Sequence, residues 1–128
     1  MRLPVRVNDQ QTDRLRAVLQ RCNIEAAPGY KVFVTDTQRG RCNYESKYIT
    51  VPFWATIGGP NGGILVEFEV YYAAHECAHS WCFEDTGERN HGGTFMEWFK
   101  LLCPEHLWHH ELGYKPRLAA AAGIERTT

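Results

Sequence analysis

The run from Val66 to Thr86, VEFEVYYAAHECAHSWCFEDT, holds neither glycine nor proline and constrains the fold more than any other stretch of the chain. Its beginning reads two ways. ILVEFEVY alternates apolar and acidic residues as a half-exposed strand does, with Val66, Phe68 and Val70 on one face. At helical spacing, Phe68, Tyr71, Tyr72, His75 and His79 share one side, and the pattern runs without a breaker to Gly87. Length and the missing breakers predict a helix over about 66–86.

That helix carries HECAH, residues 75 to 79. Side chains four apart lie one turn above each other, so His75 and His79 can aim a ring nitrogen at the same point. Zn²⁺ takes imidazole nitrogen at about 2.0–2.1 Å and is satisfied by such a pair, one more protein ligand and a water. Glu76 then stands beside the ligands as the base for that water. The plain alternative is a core helix with two hydrogen-bonded histidines. Cys77 and Ala78, both small, favour the metal reading a little, because a zinc helix must pack its far side tightly against the domain.

For the third ligand the spacing HExxHxxGxxH would need a histidine at 85, where the chain has Asp85. His91 follows the Gly87 stop and precedes the next apolar run, so a chain that turns in TGERN can return it to the metal. Glu97 is the rival, in the manner of sites completed by a glutamate on a following helix. It has a bland role too: Thr94 and Glu97 have the spacing of a capping box opening TFMEWFKLLC, with Phe95, Trp98, Phe99 and Leu102 as the buried stripe.

The remaining elements follow from local pattern. Asn8 is placed to cap a helix over 9–22, with Leu15, Val18, Leu19 and Cys22 as its apolar stripe. YKVFVTD (30–36) and RCNYESKYITV (41–51) are rich in β-branched and aromatic residues, and TQRG between them holds a turn glycine, which predicts a hairpin with a further strand at 47–51. GGPNGG (58–63) is a loop. PEHLWHHEL forms a short last helix before Gly113, with His106, His109 and His110 as surface histidines, and residues 114–128 form a tail. The expected architecture is α+β in one domain over 1–128, with its core over about 9–113. An N-terminal helix, a short antiparallel sheet, a central zinc-binding helix and C-terminal helices make it up.

Composition excludes other classes. At 128 residues, 44% hydrophobic and 23% charged, the chain is neither disordered nor membrane-spanning. No apolar core of signal-peptide length follows MRLPVRVNDQ, so a cytoplasmic protein is expected. The five cysteines, an odd number without a CxxC pair, fit neither a disulfide framework nor a zinc ribbon and are expected to be reduced and buried. Residues 1–60 carry nine Lys/Arg against five Asp/Glu, and residues 61–128 five against ten. That bias supports a nucleic-acid partner only weakly.

The run HECAHSWCFEDTGERNHGGTFMEWFKLL resembles the SprT-like zinc metallopeptidases, which carry HExxH on one helix and a third histidine in an HG..F segment opening the next. GRCNYESKYITV is similar to their short hairpin. The resemblance covers about residues 30–103 and rests on His75, Glu76, His79, His91, Gly92 and Phe95. It implies a small zincin-like domain with His75, His79 and His91 as zinc ligands and Glu76 as catalytic base. Family members that act on DNA-linked proteins usually add a cysteine ribbon or another DNA-binding segment, and these residues hold neither.

The expected function is therefore zinc-dependent hydrolysis of a peptide bond; Tyr44, Tyr72 and Tyr114 offer phenolic donors for an oxyanion, but packing with a satisfied hydroxyl is the expected role of each. Two alternatives use the same residues. One is a binding module for nucleic acid or a partner protein, stapled by zinc. The other is a zinc hydrolase of a non-peptide amide.

Overall fold

A computed structural model describes residues 5–56, 66–108 and 111. The GGPNGG loop, His109, His110, Tyr114 and the tail lie outside the described residues. In chain order the elements are helix α1 (Asp9–Arg21), strands β1 (Lys31–Thr35), β2 (Arg41–Asn43) and β3 (Tyr48–Pro52), a short helix α2 (Phe53–Thr56), helix α3 (Val66–Thr86) and helix α4 (Gly93–Leu102). A 3-10 turn follows at Glu105–Leu107. This is mixed α+β structure. No helix among the described residues is long and apolar enough to cross a membrane.

Helix α1 starts where its cap chemistry puts it: the Asn8 side chain accepts the Gln11 amide at 2.9 Å, and Asp9 lies in the first turn against the helix dipole. Leu15, Val18 and Leu19 are buried as the stripe predicts. Cys22 is exposed instead, because the helix ends there and Asn23 turns the chain with φ 57°. Of the other cysteines, Cys77, Cys82 and Cys103 are buried and Cys42 is half-buried, and all five are free thiols.

The sheet corrects the antiparallel expectation. Its order is β1-β3-β2, with β1 parallel to β3 in the register Lys31↔Tyr48 to Thr35↔Pro52, and only β2 antiparallel to β3. The hairpin thus joins β2 to β3, not β1 to β2. Its turn is made where Asn43 accepts the Ser46 amide at 2.8 Å and Lys47 takes φ 55°. Gly40 is not the hairpin turn. A Cβ there would sit 2.5 Å from Tyr72 Cε1 and 2.6 Å from the Thr50 carbonyl oxygen, so glycine is required by the close approach of both α3 and β3. β1 reaches its parallel partner through a connection of about a dozen residues that contains β2, which is near the minimum such a crossover needs.

All five residues of β3 are buried, as expected of a central strand covered on both faces. α1 lies against β1, where Thr12 accepts the Val34 amide at 2.8 Å and Arg16 donates to the Val32 carbonyl at 2.8 Å. α3 packs on β2 and β3, and α4 packs along α3. Around the histidines, the side chains that α3 turns inward are small: Ala73, Ala74, Cys77 and Ala78 are fully buried. They let the helix approach the core closely enough to hold the polar side chains of 75–80 within the protein.

Helix α4 opens without the capping box. Gly92 is its N-cap and offers no side chain, while Thr94 lies inside the helix and Glu97 is exposed. Phe95 and Phe99 are fully buried, and Trp98 stacks on Trp81 of α3 at 4.9 Å, with its indole N–H on Asp85 at 3.0 Å. These contacts fix the spacing of α3 and α4, between which the histidines converge.

Candidate metal centre

His75 and His79 come from adjacent turns of α3, and His91 is returned to them by a short loop. Gly87, at φ 79°, ends α3, and its amide bonds the Phe83 carbonyl at 2.7 Å. Next, the Arg89 guanidinium lies over the rings of Tyr44 and Phe83, at 4.8 and 5.1 Å from their centroids. Asn90 then accepts the Gly92 amide at 2.9 Å, so the residue between them, His91, leaves a tethered turn.

His91 Nε2 lies 3.0 Å from His79 Nε2 and 3.2 Å from His75 Nε2, and one ligand atom from each of the three residues falls within 4.8 Å of the others. Tetrahedral zinc with bonds of about 2.0–2.1 Å sets its ligand nitrogens about 3.3 Å apart, close to what these rings already adopt. Three neutral imidazoles facing one point with the same nitrogen cannot all satisfy one another by hydrogen bonds. A cation at that point would. The cluster is thus able to hold a metal ion.

The surroundings suit neutral, ligating rings. Burial, and then its two histidine neighbours, push His79 down to about 3, so it is uncharged through the physiological range. Its Nδ1 is buried with no hydrogen-bond partner among the described residues, so packing orients the ring. Phe95 supplies that packing: its centroid lies 5.1, 4.6 and 4.8 Å from those of His75, His79 and His91.

His75 is held differently. Its Nδ1 is 2.7 Å from Glu111 Oε1, and the Tyr71 hydroxyl donates to the same oxygen at 2.9 Å. An ionised carboxylate only accepts, which leaves the proton on His75 Nδ1 and a lone pair on Nε2, facing the cluster. Burial works against the Glu111 charge, but the His75 and Tyr71 hydrogen bonds outweigh it and hold the group below the usual carboxylate range. Sequence reasoning missed Glu111. The available signal was chemical: a ligating histidine needs an acceptor for its other nitrogen, and PEHLWHHEL supplies carboxylates.

Glu76 is 7% exposed. Burial pushes its carboxyl up to about 7, opposed in part by the neighbouring His75 and reinforced by Glu111. It stands next to a cluster member without belonging to the three. Glu97, the rival ligand, is exposed and outside the cluster. Of the tyrosines, Tyr72 accepts the Gly40 amide at 3.0 Å, and Tyr44 packs on Phe83 at 4.4 Å beneath Arg89.

Compared with protein-family models, curated proteins and solved structures, the chain gives no match in any of the three. The functional reading therefore rests on the residues and their geometry.

Proposed function

We propose that this chain is a zinc metallopeptidase built as a small zincin-like domain of the SprT-like kind. The observation that carries the reading is the convergence of His75, His79 and His91 on one point with the buried carboxyl of Glu76 next in line. A zinc ion at that point would acidify a water molecule and polarise a peptide carbonyl.

The chain's own groups do the rest. Glu76, raised by burial toward neutrality, accepts a proton as the water oxygen adds to the carbonyl carbon. It then delivers that proton to the amine nitrogen as the C–N bond breaks, and leaves ionised, ready for the next cycle. Phe95, fully buried against the three rings, gives the site an apolar wall that strengthens the charge interactions beside it. A purely structural zinc site is normally closed by four protein ligands and has no use for a buried base, and that favours catalysis over a stapled binding module.

Metal content per chain by elemental mass spectrometry tests this first, on the native protein and on His91→Ala and Glu97→Ala after identical dialysis. One zinc per native chain, lost with His91 and kept with Glu97, is the expected result. Glu76→Gln then separates enzyme from binding module, since it should keep zinc and lose hydrolysis of a peptide library. An unchanged cleavage rate in Glu76→Gln, or native protein that holds no zinc after adding it back, would sink the proposal.

A further inference from the structure

We infer that Glu111 is a positioning residue for the metal, and that through it the segment following α4 is coupled to metal occupancy. The inference rests on the metal reading above and goes beyond it. It concerns a residue outside the HExxH and HG..F segments, carried on a stretch of chain that no motif marks.

Glu111 Oε1 receives two donors from successive turns of α3, the Tyr71 hydroxyl at 2.9 Å and the His75 Nδ1 proton at 2.7 Å. The pair is largely shielded, His75 and Glu111 side chains being 18% and 17% exposed. The distal nitrogen of His75 is held by a carboxylate, whereas the His79 Nδ1 finds no partner among the described residues. At His75 the orienting work of a hydrogen-bonded outer shell therefore falls on Glu111.

What carries Glu111 to α3 is a chain of small anchors. Leu107 is buried, the Trp108 indole N–H bonds the Cys103 carbonyl at 2.8 Å, and Lys100 of α4 lies over the Trp108 ring at 5.4 Å. The Glu111 amide then bonds the Trp108 carbonyl at 3.0 Å. Among the described residues, the Glu111 carboxylate is what joins this segment to His75. A cation on Nε2 draws electron density from the imidazole and makes Nδ1–H a better donor, which tightens the grip of Glu111. Linkage is reciprocal: whatever the metal adds to docking of this segment, docking adds to metal affinity.

The test is zinc affinity by competition with a chromophoric chelator, for native protein, Glu111→Gln, Glu111→Asp and Tyr71→Phe. Melting of each metal-free protein and hydrogen exchange of peptides covering 104–111, with and without zinc, accompany it. Glu111→Gln should bind zinc about 10- to 100-fold more weakly while its metal-free melting stays put. Glu111→Asp and Tyr71→Phe should fall between, and the visible bands of bound Co²⁺ should shift in Glu111→Gln. Zinc should slow exchange over 104–111 in the native chain and not in Glu111→Gln. Zinc affinity in Glu111→Gln and Tyr71→Phe equal to native, or exchange over 104–111 indifferent to zinc, overturns the inference and leaves the metal site standing. A metal-free melting loss as large as the zinc-bound one also overturns it, since that marks a purely structural residue. Native protein that takes up no zinc overturns the metal reading itself.

Discussion

Arg89 lies with its guanidinium 4.8 Å from the centroid of the Tyr44 ring, two residues before the chain presents His91 to the other histidines. The same group lies 5.1 Å from the ring of Phe83 on α3, so the loop is pinned at once to the β2–β3 turn and to the helix. Arg89 is exposed, and each exposed cation–π contact contributes about 0.5–1 kcal/mol. Arg89→Ala should therefore weaken zinc binding by a few-fold and lower the melting temperature only slightly. Arg89→Lys should recover part of the affinity, being a cation without the flat face. Chelator competition reads the difference; native affinity in Arg89→Ala would show that the turn holds His91 unaided.

Gly40→Ala should destabilise the protein by about 1–3 kcal/mol, as overpacking does. The added Cβ would meet Tyr72 Cε1 at 2.5 Å and the Thr50 carbonyl oxygen at 2.6 Å. Tyr72 can be trimmed, but the Thr50 carbonyl is backbone of the central strand and cannot move aside cheaply. Combining Gly40→Ala with Tyr72→Ala should accordingly fail to restore the native denaturation midpoint. Full restoration would mean that the aromatic ring alone sets the requirement for glycine.

Phe95→Ala removes a fully buried ring that lies within about 5 Å of all three histidines. Truncating a buried Phe costs about 3–5 kcal/mol. Here it should also free the His79 ring, which no hydrogen bond at Nδ1 holds among the described residues. Chemical denaturation should show the first effect and zinc titration the second. Phe95→Leu separates them, keeping most of the stability while losing metal affinity. Equal zinc affinity in Phe95→Leu and the native chain would mean that the ring serves the core alone.

What could be read in the sequence was whatever local chemistry decides. α1 begins at the Asn8 cap and α3 runs from Val66 to Thr86 because caps and breakers act within a few residues. The three histidines were legible because their partners lie within one helix and one short turn. Sheet topology was not: GRCNYESKY contains a glycine and an Asx turn, and pairing decides which makes the hairpin. Gly40 serves packing against Tyr72 instead, a contact over thirty residues away. The cap at Thr94 failed for a similar reason, since Asn90 and Gly92 settle the loop first. Glu111 was invisible because its role is set only by where the chain folds back onto His75.

The last prediction concerns pH and a carboxylate away from the cluster. Glu69 of α3 is fully buried; Arg14 Nη2 lies 2.5 Å from its Oε2, and its Oε1 has no partner among the described residues. Burial raises the Glu69 pKa, and the Arg14 hydrogen bond and charge pull it back only in part. Because the folded value lies above the unfolded one of about 4.3, ionisation of Glu69 costs stability as pH rises through the folded pKa. Arg14→Met removes the opposing charge and raises that pKa further. Well below about pH 4 the carboxyl is neutral in folded and unfolded chains alike, and the variant should differ from native by lost packing and by the Arg14 hydrogen bonds to Gln11, Glu69 and the Thr56 carbonyl. As pH rises the native chain gains its ion pair while the variant strands a buried carboxyl, so the gap in stability should widen. It should approach the low end of the roughly 3–5 kcal/mol seen when a buried pair loses one partner, since the Arg14 side chain is 39% exposed. Adding Glu69→Gln to Arg14→Met should flatten the profile. Denaturation midpoints from pH 4 to 8 decide it, and a gap that stays constant over that range would assign the Arg14 effect to packing and not to charge.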